Sequence, residues 1–172
     1  MTGAPPGGDD RSKEVREMPK LIQGGNYVYG WIVVGADGSI PLPDELRTEY
    51  GIEGEQDMIL IQGSEALGGF GVCRHDKLKA SGMGVILERY RELETTPSGE
   101  PVMVKGKSKI YGRAPLGGDY RLKLLPEIRK TFGVSPGDRL LAIRGSGVVL
   151  SFASAGPILK EARRYEDLAV WE

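Results

Sequence analysis

The chain has 172 residues, of which 40 % are hydrophobic, and a formal net charge of −1, so it holds enough apolar material for the core of a globular protein. Its longest apolar runs, at residues 31–34 and 58–61, fall far short of the roughly 20 residues that a membrane helix needs, and we recognise no export signal. Cys73 is the single cysteine, which excludes an intrachain disulfide and a zinc site built on cysteines, and a cytoplasmic location is expected.

The first part of the chain predicts an arm followed by a compact unit. Residues 1–19 are rich in glycine, proline and mixed charges and are expected to form a disordered arm. Residues 20–81 predict a strand at 27–34, a turn at 35–38 and a second strand that ends at Leu42. A short helix begins at Pro43 and ends at Gly51. A hairpin with strands at 58–61 and 67–73, and then a helix at 76–81, complete the unit.

The remainder of the chain predicts a connection and a second unit of the same order. Residues 82–101 predict a helical segment at 84–93 and a linker that interrupts it at 95–99. In residues 102–172 a strand at 109–116, a turn at 117–119 and a strand to Leu124 precede a helix that begins at Pro126 and ends at Gly133. A hairpin with strands at 140–143 and 148–152 and a helix at 157–165 follow.

The two units are copies of each other. Residues 28–64 recur at 110–146 without a gap, at a constant offset of 82, so that Gly51 returns as Gly133. A register held for this length predicts one supersecondary unit used twice. The expected fold class is therefore mainly β with short helices (α+β), built from two tandem repeats in one chain.

The copies have opposite charge. Residues 27–64 carry one basic side chain, Arg47, and seven acidic ones, which gives −6. Residues 103–144 carry ten basic side chains and three acidic ones, which gives +7. Within this basic stretch, Lys105, Lys107 and Lys109 are spaced at a period of two and are expected to line one side of a strand. A concentrated basic face of this kind suits the phosphate backbone of a nucleic acid.

The sequence around each helix is similar to a known family. Residues 37–47 read Asp-Gly-Ser-Ile-Pro-Leu-Pro-Asp-Glu-Leu-Arg, and the second copy has Leu-Pro-Glu-Ile-Arg-Lys at 125–130 and Pro-Gly-Asp-Arg-Leu at 136–140. This pattern resembles the AbrB/SpoVT swapped-hairpin family, and two copies in one chain resemble the tandem MraZ-like arrangement. The resemblance implies a small β-barrel in which two strand, helix and hairpin units exchange hairpins across a pseudo-twofold axis.

The same resemblance implies a prokaryotic transcription regulator that binds double-stranded DNA through basic residues around the first turn and the short helix. The corresponding positions hold Arg121, Arg129 and Lys130 in the second copy, and Ser39, Arg47 and Thr48 in the first. The second copy departs from the family pattern because Tyr120 replaces the turn glycine and the proline is shifted to Pro126. With the nearby basic residues added, the predicted DNA-binding set is Arg47, Lys105, Lys107, Lys109, Arg113, Arg121, Lys123, Arg129 and Lys130.

A second hypothesis is a non-enzymatic protein-interaction or self-assembly module. The acidic and basic repeats can pair within one barrel or between chains, in which case their charges specify assembly. An antitoxin-like protein with a protein partner is one version of this hypothesis, although residues 156–172 are short for a partner-binding tail. The sequence leaves the oligomeric state open.

An enzyme is the least supported class, and no catalytic residue, cofactor or metal is expected. Cys73 and His75 are close in sequence, but neighbouring strand residues point to opposite faces and no convincing orienting acid accompanies them. The glycine-rich run at 68–71 lacks the lysine of a phosphate-binding loop and indicates close packing or a bulge instead. Tyr29 and Trp31 lie in a predicted barrel strand and are expected in the core.

Overall fold

A computed structural model describes residues 20–22 and 26–172, with side chains from Tyr27 onward. The predicted arm at 1–19 lies outside the described residues. Eleven strands in the described part belong to one sheet: β1 Lys20–Ile22, β2 Asn26–Val33, β3 Ser39–Pro41, β4 Gln56–Gln62, β5 Phe70–Arg74, β6 Val102–Lys105, β7 Ile110–Leu116, β8 Arg121–Lys123, β9 Arg139–Arg144, β10 Leu150–Ala153 and β11 Ala169–Trp171. The predicted mainly β class with short helices is therefore confirmed.

In the described part, six short α-helices accompany these strands: α1 Asp44–Tyr50, α2 His75–Ala80, α3 Val85–Arg89, α4 Glu92–Thr95, α5 Pro126–Phe132 and α6 Pro157–Ala162, with a 3₁₀ turn at Gly82–Gly84. None of the helices in the described ranges is both long and apolar enough to cross a membrane.

The predicted helix that follows the first turn is present in both units, as α1 and α5, and its sequence explains its limits. A proline sits at the start of each helix, with acidic residues in the first turn. Leu46 of α1 and Ile128 of α5 are fully buried at the same position of the two helices. Each helix then ends at a glycine with left-handed backbone, Gly51 (φ 65°) and Gly133 (φ 70°), a conformation that is costly for side chains with a Cβ.

The sheet interleaves the two units. Its strand order is β1-β2-β9-β10-β5-β4-β7-β8-β3, with β11 added in parallel to β2 and β6 added to β7. The path returns from β3 towards β2, where the Gly35 backbone N–H donates to the Ser39 carbonyl at 2.8 Å. The result is a nearly closed, barrel-shaped sheet in which each unit supplies strands to the other.

The pairings repeat at the sequence offset of 82. Ile32 pairs with Leu140 between β2 and β9, and Met58 pairs with Ala114 between β4 and β7. Where equivalent strands meet, equivalent residues face each other: Ile40 with Leu122, and Phe70 with Phe152. A pseudo-twofold axis therefore passes through these two pairs, which lie on opposite sides of the barrel-shaped sheet.

The core consists of one central cluster and two outer clusters. The central cluster lies inside the barrel and contains Phe70, whose ring centroid lies 5.3 Å from that of Phe132 and 5.5 Å from that of Phe152. One outer cluster lies beneath α6 and contains Trp31, and the other lies beneath α2 to α4. Tyr29 and Trp31 are buried, as predicted.

Several predicted elements differ from the observed ones. The helix expected at 84–93 is divided into the 3₁₀ turn, α3 and α4, and the last helix ends at Ala162 instead of 165. Lys107 and Lys109 lie in the turn between β6 and β7, so the prediction that the three lysines line one side of a strand is wrong. Strands β1, β6 and β11, each three or four residues long, were not predicted.

Candidate functional site

The candidate site lies where β3 pairs with β8, on the side of the barrel opposite the β5–β10 pair. We call it the turn–helix face; it comprises β3, β8, the turns at 35–38 and 117–120, and helices α1 and α5. The pseudo-twofold axis passes through its centre at the Ile40–Leu122 pair. Every position on one side of this face therefore has a counterpart on the other, and differences between the counterparts show how the two repeats have diverged.

One arginine from each helix crosses to the turn of the other unit. The Nε atoms of Arg47 and Arg129 donate to equivalent carbonyls, those of Leu42 at 2.8 Å and Leu124 at 3.3 Å. The Arg47 guanidinium then stacks on the Tyr120 ring, with Cζ 3.5 Å from the ring centroid. Its counterpart Arg129 covers Gly38, where a Cβ would come within 2.4 Å of Nε. These contacts fix both arginines in place.

The turn residues beneath the two arginines are not equivalent. Gly38 has φ 84°, and its counterpart Tyr120 adopts φ 59°, the one positive φ among the non-glycine residues of the described part. A left-handed conformation costs about 1–2 kcal/mol for a residue with a Cβ. Tyr120 thus keeps the backbone conformation of its glycine counterpart, and the stacked Arg47 supplies a compensating contact.

Arg121 reaches across β3 to its own counterpart, Ser39. Its Nε donates to Ser39 Oγ at 2.7 Å and its Nη2 to the Ser39 carbonyl at 3.2 Å. The Ser39 hydroxyl and backbone N–H both donate to Asp37 Oδ1, at 2.7 and 3.0 Å. These two bonds, the backbone one first, and the nearby charge of Arg121 lower the pKa of Asp37 below its usual range. The network holds Arg121 near the pseudo-twofold axis.

The two sides of the face differ in charge. The second repeat contributes four cations, Arg121, Lys123, Arg129 and Lys130, with two carboxylates, Asp119 and Glu127. The first repeat contributes a single cation, Arg47, with four carboxylates, Asp37, Asp44, Glu45 and Glu49. Arg47 is also paired with Asp44 at 3.4 Å and its side chain is only 18 % exposed. Lys123 and Lys130 are exposed and form no ion pair within the described part of the chain.

Arg113 does not belong to this surface. Its side chain is 5 % exposed, and its guanidinium donates to backbone carbonyls of the connection between the repeats, including those of Thr96 at 2.6 Å and Pro97 at 2.5 Å. The prediction that Arg113 contacts DNA is therefore corrected, because the charged group is buried. The repeat could have predicted this burial, because Arg113 is the counterpart of Trp31, which was expected in the core.

The lysine turn, residues 105–109, is a separate basic region. It lies at the start of β7, whereas the turn at 117–120 follows the end of that strand. Six residue steps at about 3.3 Å place the two ends of β7 about 20 Å apart. Lys105 and Lys107 are exposed, and Lys109 Nζ donates to the Gln62 carbonyl at 3.0 Å. The predicted basic set is thus divided into the turn–helix face, the lysine turn and the buried Arg113.

One ion pair between the repeats was not predicted from the sequence. Arg144 of β9 pairs with Glu49 of α1, and its Nε donates to the Tyr29 hydroxyl at 3.2 Å. Its guanidinium also lies 4.8 Å from the centroid of the Tyr27 ring. Burial is the largest influence on Tyr29 and raises the pKa of its hydroxyl. Equivalent positions in the other half hold Gln62 and Thr131, so the repeat comparison could not predict this pair.

The residues that were considered for catalysis are either buried or bonded within the fold. Cys73 is 2 % exposed, and burial raises the pKa of its thiol to about 12, which opposes formation of a nucleophilic thiolate. His75 Nε2 lies 2.9 Å from Glu94 Oε2 and so links α2 to α4. The glycine run packs closely, as predicted, since a Cβ at Gly69 would come within 2.0 Å of the Phe152 carbonyl. No cluster of three or more metal-ligating side chains is present among the described residues.

Comparison with known proteins gives no independent assignment, because no protein-family model matches the chain and no curated protein sequence matches it.

Proposed function

We propose that the fold is a swapped-hairpin barrel of the AbrB-like type, formed by two tandem repeats in one chain. The strand pairing supports this proposal: hairpin β4–β5 of the first repeat adds to β7 of the second, and hairpin β9–β10 of the second adds to β2 of the first. The repeated offset of 82 in these pairings is what an exchange of hairpins between two equivalent units would produce.

We further propose that the chain is a prokaryotic, cytoplasmic transcription regulator that binds double-stranded DNA through the second repeat's side of the turn–helix face. The observation that carries this proposal is the grouping of Arg121, Lys123, Arg129 and Lys130 around one turn and one helix. The hydrogen bonds of Arg121 to Ser39 and of Arg129 to the Leu124 carbonyl reduce the conformational entropy that would be lost on binding.

The charge count gives a measurable expectation. Neutralising a phosphate of B-DNA releases about 0.9 of a counterion, so four phosphate contacts predict a slope of about −4 in a plot of log affinity against log salt concentration. A shallow slope with tight binding would instead indicate that the cations of this face do not contact phosphates.

The test uses two double charge reversals that change the net charge equally. Lys123→Glu with Lys130→Glu alters the turn–helix face, and Lys105→Glu with Lys107→Glu alters the lysine turn as a matched control. All four lysines are exposed, and none forms an ion pair in the described part. We expect the first variant to lose at least about a hundredfold in affinity for duplex DNA and the control to lose much less. Equal losses would contradict the placement of the interface.

The alternative function is a protein-interaction or self-assembly module, and the Arg144–Glu49 pair favours it because it joins an acidic and a basic repeat. In that reading the remaining charges select a second chain or an antitoxin-like partner. The reversal at Lys123 and Lys130 would then change the molecular mass in solution, measured by light scattering, without affecting DNA retention.

A further inference from the structure

The turn–helix face has the framework of a symmetric DNA reader but not its charges. The backbone positions on its two sides are related by the pseudo-twofold axis through Ile40 and Leu122. The side chains at four pairs of counterparts differ in charge or size, with the first repeat given first: Gly38 and Tyr120, Ser39 and Arg121, Pro41 and Lys123, and Thr48 and Lys130.

Both repeats have an arginine in the helix, Arg47 and Arg129, but the surroundings of the two guanidinium groups differ. Arg47 is stacked on Tyr120 and paired with Asp44, so its charge is partly compensated. Arg129 covers a glycine, and its guanidinium has no carboxylate partner in the described part of the chain. The cation that the repeats have in common is therefore available to a phosphate on one side only.

The two strands of B-DNA present equivalent backbones to a reader with twofold symmetry. Placed across this face, one backbone would meet four cations and two carboxylates, whereas the other would meet one cation and four carboxylates. Opposite charges attract and like charges repel at these short distances even in water. Exchanging the two flanks of a bound sequence thus changes the contacts, so the two orientations of the protein on a given site have different energies.

We infer that one chain of this protein binds a DNA site without dyad symmetry, in a single orientation, with the second repeat on the flank that supplies most phosphate contacts. This inference rests on the proposed function, and it specifies the class of site: a non-palindromic sequence bound by one chain. A palindrome presents the same sequence to both sides of a twofold face. One chain whose two sides carry different charges cannot contact both flanks of a palindrome in the same way.

The experiment determines the orientation by directed cleavage. Glu45→Cys and Glu127→Cys place a cysteine at counterpart positions in the first turns of α1 and α5. Each cysteine carries an iron chelate that generates hydroxyl radicals, while the native Cys73 is 2 % exposed and stays unlabelled. The DNA is the sequence that the full chain enriches from a random duplex pool, labelled at each end in turn.

We expect each conjugate to cleave one flank about tenfold or more over the other, and the two conjugates to cleave opposite flanks. Cleavage of both flanks equally by each conjugate would overturn the inference while leaving DNA binding intact. Enrichment of no sequence would overturn the proposed function itself and, with it, this inference.

A second variant tests the cause of the orientation. Asp44→Asn combined with Thr48→Lys brings the first repeat's helix closer in charge to the second. In the Glu127→Cys conjugate this change should lower the ratio of cleavage between the flanks severalfold. An unchanged ratio would show that charge does not set the orientation and would overturn the argument.

Discussion

Replacing Arg113 by methionine tests whether a buried charge holds the connection between the repeats. The Arg113 guanidinium donates to the carbonyls of Leu93 at 3.2 Å, Thr96 at 2.6 Å, Pro97 at 2.5 Å and Glu100 at 3.1 Å. It thereby collects the carbonyls that follow α4 and ties them to β7. Methionine fills most of the same volume but donates no hydrogen bond.

The expected loss follows from two opposing contributions. The three carbonyls at Nη2 share its two hydrogens, so the guanidinium makes the equivalent of about three hydrogen bonds. Each hydrogen bond from a charged donor contributes about 1.5–3 kcal/mol, and together they outweigh the several kcal/mol that desolvating the guanidinium costs. One guanidinium nitrogen, Nε of Arg113, is buried without a partner, which lowers the net gain. We therefore expect Arg113→Met to reduce the free energy of unfolding by about 3 kcal/mol, or Tm by roughly 6–12 °C for a domain of this size.

The assay is urea denaturation followed by circular dichroism, with Arg139→Met as the matched control. Arg139 is an exposed strand arginine, so its replacement should change the free energy of unfolding by less than about 0.5 kcal/mol. Limited trypsin digestion gives a second readout, since cleavage at Arg89 and Arg91 should accelerate in Arg113→Met. Stabilities within about 0.5 kcal/mol of each other would refute the reasoning, as would a loss of DNA binding in excess of the loss of folded protein.

Two further perturbations test the turn–helix face and the connection. Tyr120→Gly relieves the left-handed strain but loses the contact with Arg47, so its free energy of unfolding should stay within about 1 kcal/mol of the unaltered chain. Tyr120→Ala should be about 1 kcal/mol less stable than Tyr120→Gly in urea unfolding. Equal stabilities of the two variants would contradict a strained backbone at Tyr120. The hydrogen bond with His75 is the chief cause that lowers the pKa of Glu94 in the folded protein. The ionised Glu94 therefore contributes to folding stability above the usual carboxyl pKa near 4.5, and this contribution is lost as pH falls through the lower folded-state pKa. Glu94→Gln should therefore reduce the loss of unfolding free energy on acidification by less than about 1 kcal/mol. Identical curves of unfolding free energy against pH for the variant and the unaltered chain would disprove the contribution.

The repeat made local structure predictable. Proline at the start and glycine at the end delimit α1 and α5, and both helices occupy the predicted positions. Such signals depend on backbone preferences within a few residues, and tertiary packing does not override them here. The hairpins are found for the same reason, since alternating apolar strands flank recognisable turns.

Side-chain placement was less predictable because it depends on which strand lies alongside. A period of two suggested a strand for Lys105, Lys107 and Lys109, but the pairing of β6 with β7 places a turn there. Arg113 looked like a surface charge, yet the connection folds over it and supplies four carbonyls. The contacts of Arg121 with Ser39 and of Arg144 with Glu49 join residues 82 and 95 positions apart, which no local pattern reports.

The interleaved strand order has a consequence for synthesis of the chain. β2 hydrogen-bonds along its length to β9, and β4 to β7, so the first half cannot complete its own ladders. At roughly 5–20 residues per second, the hundred or so residues that separate β2 from β9 take about 5–20 s to leave the ribosome. Throughout that interval β2 lacks β9 and β4 lacks β7, so the apolar strands of the first repeat each wait for a partner that is not yet made.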